Sequence, residues 1–142
     1  MFKDDKGQLS LEFLLIFSIS LIILILFTIP FSNIAIETVT DISDSINIKS
    51  EMIELKNSIN SVYSEGQSSK RTLFIDVNKE TELIIKDGVI YCNLNLNNNK
   101  TKNIEVSILD YDLNSTLKLN KGENKIIISW LEGGESISII KV

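Results

Sequence analysis

Few side chains in this 142-residue sequence could carry chemistry. There is no histidine, which removes imidazole general-base catalysis and imidazole metal ligation. The one cysteine, Cys92, cannot close an internal disulfide or assemble a thiolate cluster, and it reads as a small buried hydrophobe. Asp110 and Asp112 could flank a cation, but with no third ligand in view they read as an exposed turn. Gly133-Gly134-Glu135 lacks the Gly-Lys-Ser/Thr element of a phosphate loop and reads as a hairpin turn. Ser10 has no neighbouring base to activate it as a nucleophile. Trp130 and the tyrosines read as core or rim rather than as a carbohydrate platform. The net charge of −5 argues against a nucleic-acid partner. The sequence therefore predicts neither an enzyme nor a cofactor.

One short constellation stands apart from this background: Lys6-Gly7-Gln8-Leu9-Ser10-Leu11-Glu12-Phe13. It sits at the start of the most apolar stretch in the chain. Between Glu12 and Glu37 lie 24 residues without a charge, and Phe13 to Phe31 is nearly all Leu, Ile and Phe. As a helix those nineteen residues rise about 29 Å, one bilayer core. Lys3 and Lys6 precede the run and the next basic residue is Lys49. The positive-inside rule therefore places the N-terminus on the cytoplasmic side and everything beyond residue ~35 outside. A secretory signal has a shorter apolar core ending at a small-residue cleavage site, and the only alanine here is Ala35.

The constellation resembles the class III signal peptide of archaeal type IV pilins, with the pattern Gln-x-Ser-x-Glu-Phe/Tyr between a short charged leader and a long apolar helix. Gln8, Ser10, Glu12 and Phe13 occupy every fixed position, a coincidence on the order of one in 10⁵ at a given site. The resemblance covers about the first 30 residues. It implies that a prepilin peptidase cleaves between Gly7 and Gln8, with Gln8, Ser10, Glu12 and Phe13 as its recognition motif. Glycine before the scissile bond is expected to leave the backbone extended and accessible. The resemblance further implies an assembly role for Glu12, whose carboxylate would pair with the new N-terminal amine of a neighbouring subunit. In hydrocarbon such a group is costly without a partner. The implied partners are the peptidase, an assembly ATPase with its membrane platform, and other copies of this chain or other pilins.

The elements that would position this motif follow from periodicity. Residues 34 to 65 become amphipathic beyond Pro30, which interrupts the apolar run and is expected to kink the helix. Ile36, Val39, Ile42, Ile46, Met52, Leu55, Ile59 and Val62 recur at mostly helical steps, with slippage near Lys49. Asp41, Asp44, Glu51, Glu54 and Lys56 are assigned to the opposite, solvated face. The stretch is rich in Ser, Thr and Asn, so its helicity must come from packing the apolar face on something; docking on the head is favoured over a stalk solvated on one side, because exposed Ile42, Ile46 and Leu55 would form an aggregation patch. Residues 8 to 65 would form one bent helix of about 87 Å, stopping at Gly66.

From Thr72 the period changes to two. Leu73, Ile75 and Val77 alternate with their neighbours. Asp87-Gly88 between two β-rich runs is a strong hairpin signal. Ile90, Cys92, Leu94 and Leu96 share one face, and Ile104, Val106 and Ile108 another. Turns at 120–123 and 133–134 punctuate the rest. About seven short strands are expected. Two glycosylation sequons, at Asn99 and Asn114, are no more than composition gives by chance. Both fall in expected loops of a domain expected outside the cell, and the resemblance implies that such domains are often glycosylated.

The fold class read here is α+β: a long hydrophobic, then amphipathic, N-terminal helix followed by a C-terminal antiparallel β-sandwich-like domain. The expected divisions are a cleaved leader (1–7), a pilin helix (8–66, with a membrane or filament-core part 8–31 and an amphipathic part 32–66), and an extracellular β head (72–142). The expected function is that of a prepilin processed in the membrane and assembled into a surface filament for adhesion. The alternative is a single-span anchored extracellular β-domain that binds a partner without polymerising.

Overall fold

The computed structural model describes residues 5–97, 100–109 and 113–142, with side chains from Leu11 onward. One helix, α1 (Asp5–Glu65), precedes seven strands. These are β1 (Lys70–Val77), β2 (Thr81–Lys86), β3 (Val89–Asn95), β4 (Thr101–Ser107), β5 (Ser115–Leu119), β6 (Gly122–Ser129) and β7 (Ser138–Lys141). The architecture is the expected α+β arrangement. Asp110, Asp112 and the Asn99 sequon asparagine lie outside the described residues.

The helix runs through Pro30 without ending. It stops at Gly66, whose φ of 83° is open to glycine at little cost and whose N–H donates to the Val62 carbonyl at 3.1 Å. That is a left-handed C-terminal cap. The chain divides into two units, one ending at Val39 and one running from Thr40 to Val142.

In the first unit every residue from Leu11 to Val39 is exposed. Four hydroxyls there turn back onto their own helix. Ser18 donates to Leu14, Ser20 to Ile16, Thr28 to Leu24 and Thr38 to Ile34, each to the carbonyl four residues earlier at 2.7–2.8 Å. In lipid, where no water is on hand to satisfy a hydroxyl, this pairing keeps the polar atoms bonded.

The second unit holds two antiparallel sheets, in the orders β1-β6-β7 and β4-β3-β2-β5. The β2–β3 hairpin turns on Asp87 and Gly88, with φ of 51° and 73°. Positive φ at both central residues marks a type I′ turn, whose twist matches the flanking strands. Alternation buries Leu73, Ile75 and Val77 from β1, and Ile90, Cys92 and Leu94 from β3. Ile104 and Val106 of β4 and Leu117 and Leu119 of β5 are likewise buried. Ile48, Met52, Leu55, Ile59 and Val62 of α1 join the strands in a single core. β1 begins two residues before the change of period at Thr72, because Lys70 and Arg71 pair with Ser129 and Ile128.

One polar residue breaks the apolar register of β6. Asn124 is 3% exposed and is satisfied at both ends of its amide. Its Oδ1 accepts from the Asn120 N–H at 2.9 Å, and its Nδ2 donates to the Asn120 and Gly122 carbonyls at 2.7 and 2.8 Å. The side chain closes the β5–β6 turn from within.

Candidate functional site

The motif lies on the first turns of α1, and its backbone is helical from Asp5 onward. This corrects the expectation of an extended junction: Gly7–Gln8 is inside the helix. A helix interior disfavours glycine by about 1 kcal/mol relative to alanine. Gly7 thus makes this turn easy to open rather than already open, and a protease cleft would require it to unwind locally. Ser10 follows in the same helical turns. Glu12 and Phe13 are both exposed, the phenylalanine 73% so. Together they stand at the start of the uncharged apolar stretch. Among the described residues, one helix is long and apolar enough to cross a membrane, and none of its apolar window is buried. Asn114 is exposed, one residue ahead of β5.

Within the second unit, α1 meets the head through a face different from the expected one. Met52, Leu55, Ile59 and Val62 are buried as predicted, but Ile42 and Ile46 are 52% and 65% exposed. Asp41 and Asp44, assigned to solvent, are buried instead. The docked residues 41, 44, 45, 48, 52, 55, 59 and 62 form one uninterrupted stripe at three- and four-residue steps, with Asp41, Asp44 and Ser45 at its N-terminal end. The isoleucines at 42 and 46 sit on the neighbouring stripe, which continues the exposed isoleucine and valine of the first unit in sequence. The phase slip noted near Lys49 is the point where the apolar character passes from one stripe to the other.

The head receives the two aspartates with polar groups from two loops. The Asn97 backbone N–H donates to both oxygens of Asp41, at 3.1 and 3.3 Å. Asn78 Nδ2 donates to Asp44 Oδ1 at 2.9 Å. Lys79 Nζ stands 3.0 Å from Asp44 Oδ2 and 3.8 Å from Asp41 Oδ1, and it donates to Asn97 Oδ1 at 3.3 Å. Asp44 Oδ2 makes no well-aligned hydrogen bond, so the ammonium holds it by charge. Burial raises the Asp44 pKa, but the Lys79 ammonium beside it and the hydrogen bond from Asn78 outweigh this and hold the carboxyl below the usual aspartate value.

One turn further on, α1 side chains meet the main chain of β1. Asn47 Nδ2 donates to the Asp76 carbonyl at 3.2 Å. Glu51 lies against the same residue. Burial raises its pKa, as do the nearby Glu54 and Asp76 charges, and a hydrogen bond from the Asp76 main chain only partly offsets them. β1 is an edge strand of its sheet, so these side chains occupy backbone groups that would otherwise be open to another strand. At the far end of the docked helix Tyr63 stacks on Trp130, with centroids 5.5 Å apart. The indole Nε1 donates to the Gly134 carbonyl at 2.8 Å. None of Asn78, Lys79, Asn97 or Asn124 stood out in the sequence.

The described residues comprise an N-terminal helical segment with the Gln8–Phe13 motif, an apolar stretch of α1 in which every residue from Leu11 to Val39 is exposed, and a β head clasped to α1 beyond Thr40. Residues 6–31 match the class III signal peptide family. This N-terminal segment is thus similar to the signal of type IV pilin-like proteins. Comparison with curated proteins and with solved structures gives no match.

Proposed function

We propose that this chain is a prepilin of an archaeal type IV pilus-like filament. The observation that carries the reading is the class III signal at residues 6–31 lying on a helical stretch, Leu11–Val39, in which every residue is exposed. Such a surface is stable in lipid or against other helices of the same kind, and nowhere else. In this reading a prepilin peptidase removes residues 1–7, reading Gln8, Ser10, Glu12 and Phe13. The membrane then stores the processed subunit, and an assembly ATPase with its membrane platform draws it into a surface polymer with copies of itself or with other pilins. Glu12 pairs with the amine that cleavage creates on an adjacent subunit. The role is structural, the filament serving adhesion, and Asn99 and Asn114 carry glycans on the exposed head. The exposure of Asn114 supports its access to a transferase.

Intact-mass measurement of the protein from membranes and from sheared surface fibres tests this. The expected species begins at Gln8 and is recovered in fibres. A chain with its first seven residues attached, found only as single molecules in the membrane, would instead establish the anchored binding protein. Gly7→Leu is expected to accumulate uncleaved precursor. Glu12→Val is expected to leave cleavage intact and abolish fibres; ordinary fibres from that variant would remove Glu12 from the assembly mechanism.

A further inference from the structure

The contact between α1 and the head changes character along its length. From Ile48 to Val62 it is built on buried apolar side chains, with Glu51 against the Asp76 main chain at its edge. From residue 40 to 47 no apolar side chain is buried, and Ile42 and Ile46 both face away. Every head contact described for this stretch is polar: Asp41 to Asn97 and Lys79, Asp44 to Asn78 and Lys79, and Asn47 to the Asp76 carbonyl. Ser45 is buried but gives its hydroxyl to the Asp41 carbonyl of its own helix, not to the head. A water-sized gap lies under the stretch, lined by Asp44, Asn47, Ile48, Val77, Lys79 and Leu94. Lys79 is 34% exposed, so water competes for the central charge of the clasp. Ion pairs placed this way add little net stability.

The helix itself is weak here. Residues 40–47 read Thr-Asp-Ile-Ser-Asp-Ser-Ile-Asn, without one strong helix former. Ser, Thr, Asp and Asn also offer their own backbone alternative hydrogen bonds. Once undocked, this stretch has no reason to stay helical, whereas residues 52–62 are held by the core.

We propose that residues 40–47 are a latched hinge: the Asp41–Asp44–Lys79–Asn97 clasp holds them helical against the head, and its opening melts them while the core stays folded. Eight residues span about 12 Å as helix and up to about 26–29 Å extended. Opening therefore lets this stretch lengthen by roughly 15 Å. The device works equally in an anchored monomer and in a polymer, and it does not rest on the filament reading.

Hydrogen exchange of the full chain in detergent micelles tests it. In the unmodified protein, amides of 40–47 are expected to exchange at least about tenfold faster, relative to their intrinsic rates, than those of 52–62. Lys79→Met is expected to speed 40–47 by a further tenfold or so and leave 52–62 within about twofold. Equal protection of the two stretches in the unmodified chain overturns the hinge. So does a Lys79→Met variant in which both stretches lose protection together, which would make the clasp part of the core.

Discussion

Leu55 and Ile46 sit on the same amphipathic helix, and their truncation separates the docked stripe from the free one. Leu55 is fully buried, while Ile46 is 65% exposed. Leu55→Ala removes three carbons from the core, about 2.4 kcal/mol at ~0.8 kcal/mol per buried methylene. The cavity left between Met52, Ile59 and the sheets adds to this, for a total of about 3–5 kcal/mol. A unit of about 100 residues loses roughly 4–8 °C of Tm per kcal/mol, so even 3 kcal/mol lowers Tm by about 12–24 °C. Ile46→Ala opens no cavity and should stay within about 0.5 kcal/mol. The assay is thermal unfolding of the full chain in micelles, followed by fluorescence of Trp130, the single tryptophan. Its stacking on Tyr63 reports the helix–head contact directly. Similar losses for the two variants would refute the assigned face of α1, and with it the polar clasp.

Acid titration should show two opposed effects at the helix–head interface. The Asp44 carboxyl has a folded pKa below its ordinary 3.8, so its contribution is present above that pH and is lost as pH falls through the folded value; Asp44→Asn should flatten the acid limb of a stability–pH curve. Glu51 has a folded pKa above 4.5, so its charge opposes folding at neutral pH and the penalty is relieved on acidifying; Glu51→Gln should raise Tm at pH 7 and leave it unchanged near pH 3. Cys92 is 1% exposed, its thiol pKa is pushed up by burial, and its Sγ lies 3.2 Å from Thr81 Oγ1; a thiol reagent should label it only as fast as the head unfolds, and rapid labelling of the folded chain would contradict the core placement. Gly88→Val places a branched side chain at φ 73° and should cost about 1–3 kcal/mol by chemical denaturation.

The head was largely legible because a strand's period of two leaves little choice. Leu73, Ile75 and Val77 could only face inward together, and Asp87-Gly88 could only turn. The end of α1 was legible for the same reason, since Gly66 supplies a conformation other residues resist. The rotational phase of α1 between Ile36 and Ile48 was not. This part of the helix carries apolar residues on one stripe and buried carboxylates on the next, and polarity alone does not say which stripe meets the head. The answer lies in Asn78 and Asn97, which are 34 and 56 residues away from their aspartate partners. Asn124 was missed because a buried amide interrupts alternation only where a turn needs its hydrogen bonds, and that need is set by the folded backbone. The Gln8–Phe13 motif, which lies within the matched residues 6–31, was readable because its residues are adjacent. The state of its backbone was not, because the helical pattern of the long run extends back over Gly7.

The hydroxyls of Ser18, Ser20, Thr28 and Thr38 have a bearing on how stems meet. Each gives its proton to a carbonyl of its own chain, so none of the four has a proton left to donate to another stem. Apolar cylinders with few donors to spare can slide past one another with less penalty than ones keyed at every turn. The longitudinal spacing between neighbours would then be dictated by whatever surrounds the stems, chiefly the bulk of the heads and the carboxylate at Glu12. Exchanging the stem for another of equal length should accordingly alter the repeat of an assembly less than reshaping the head.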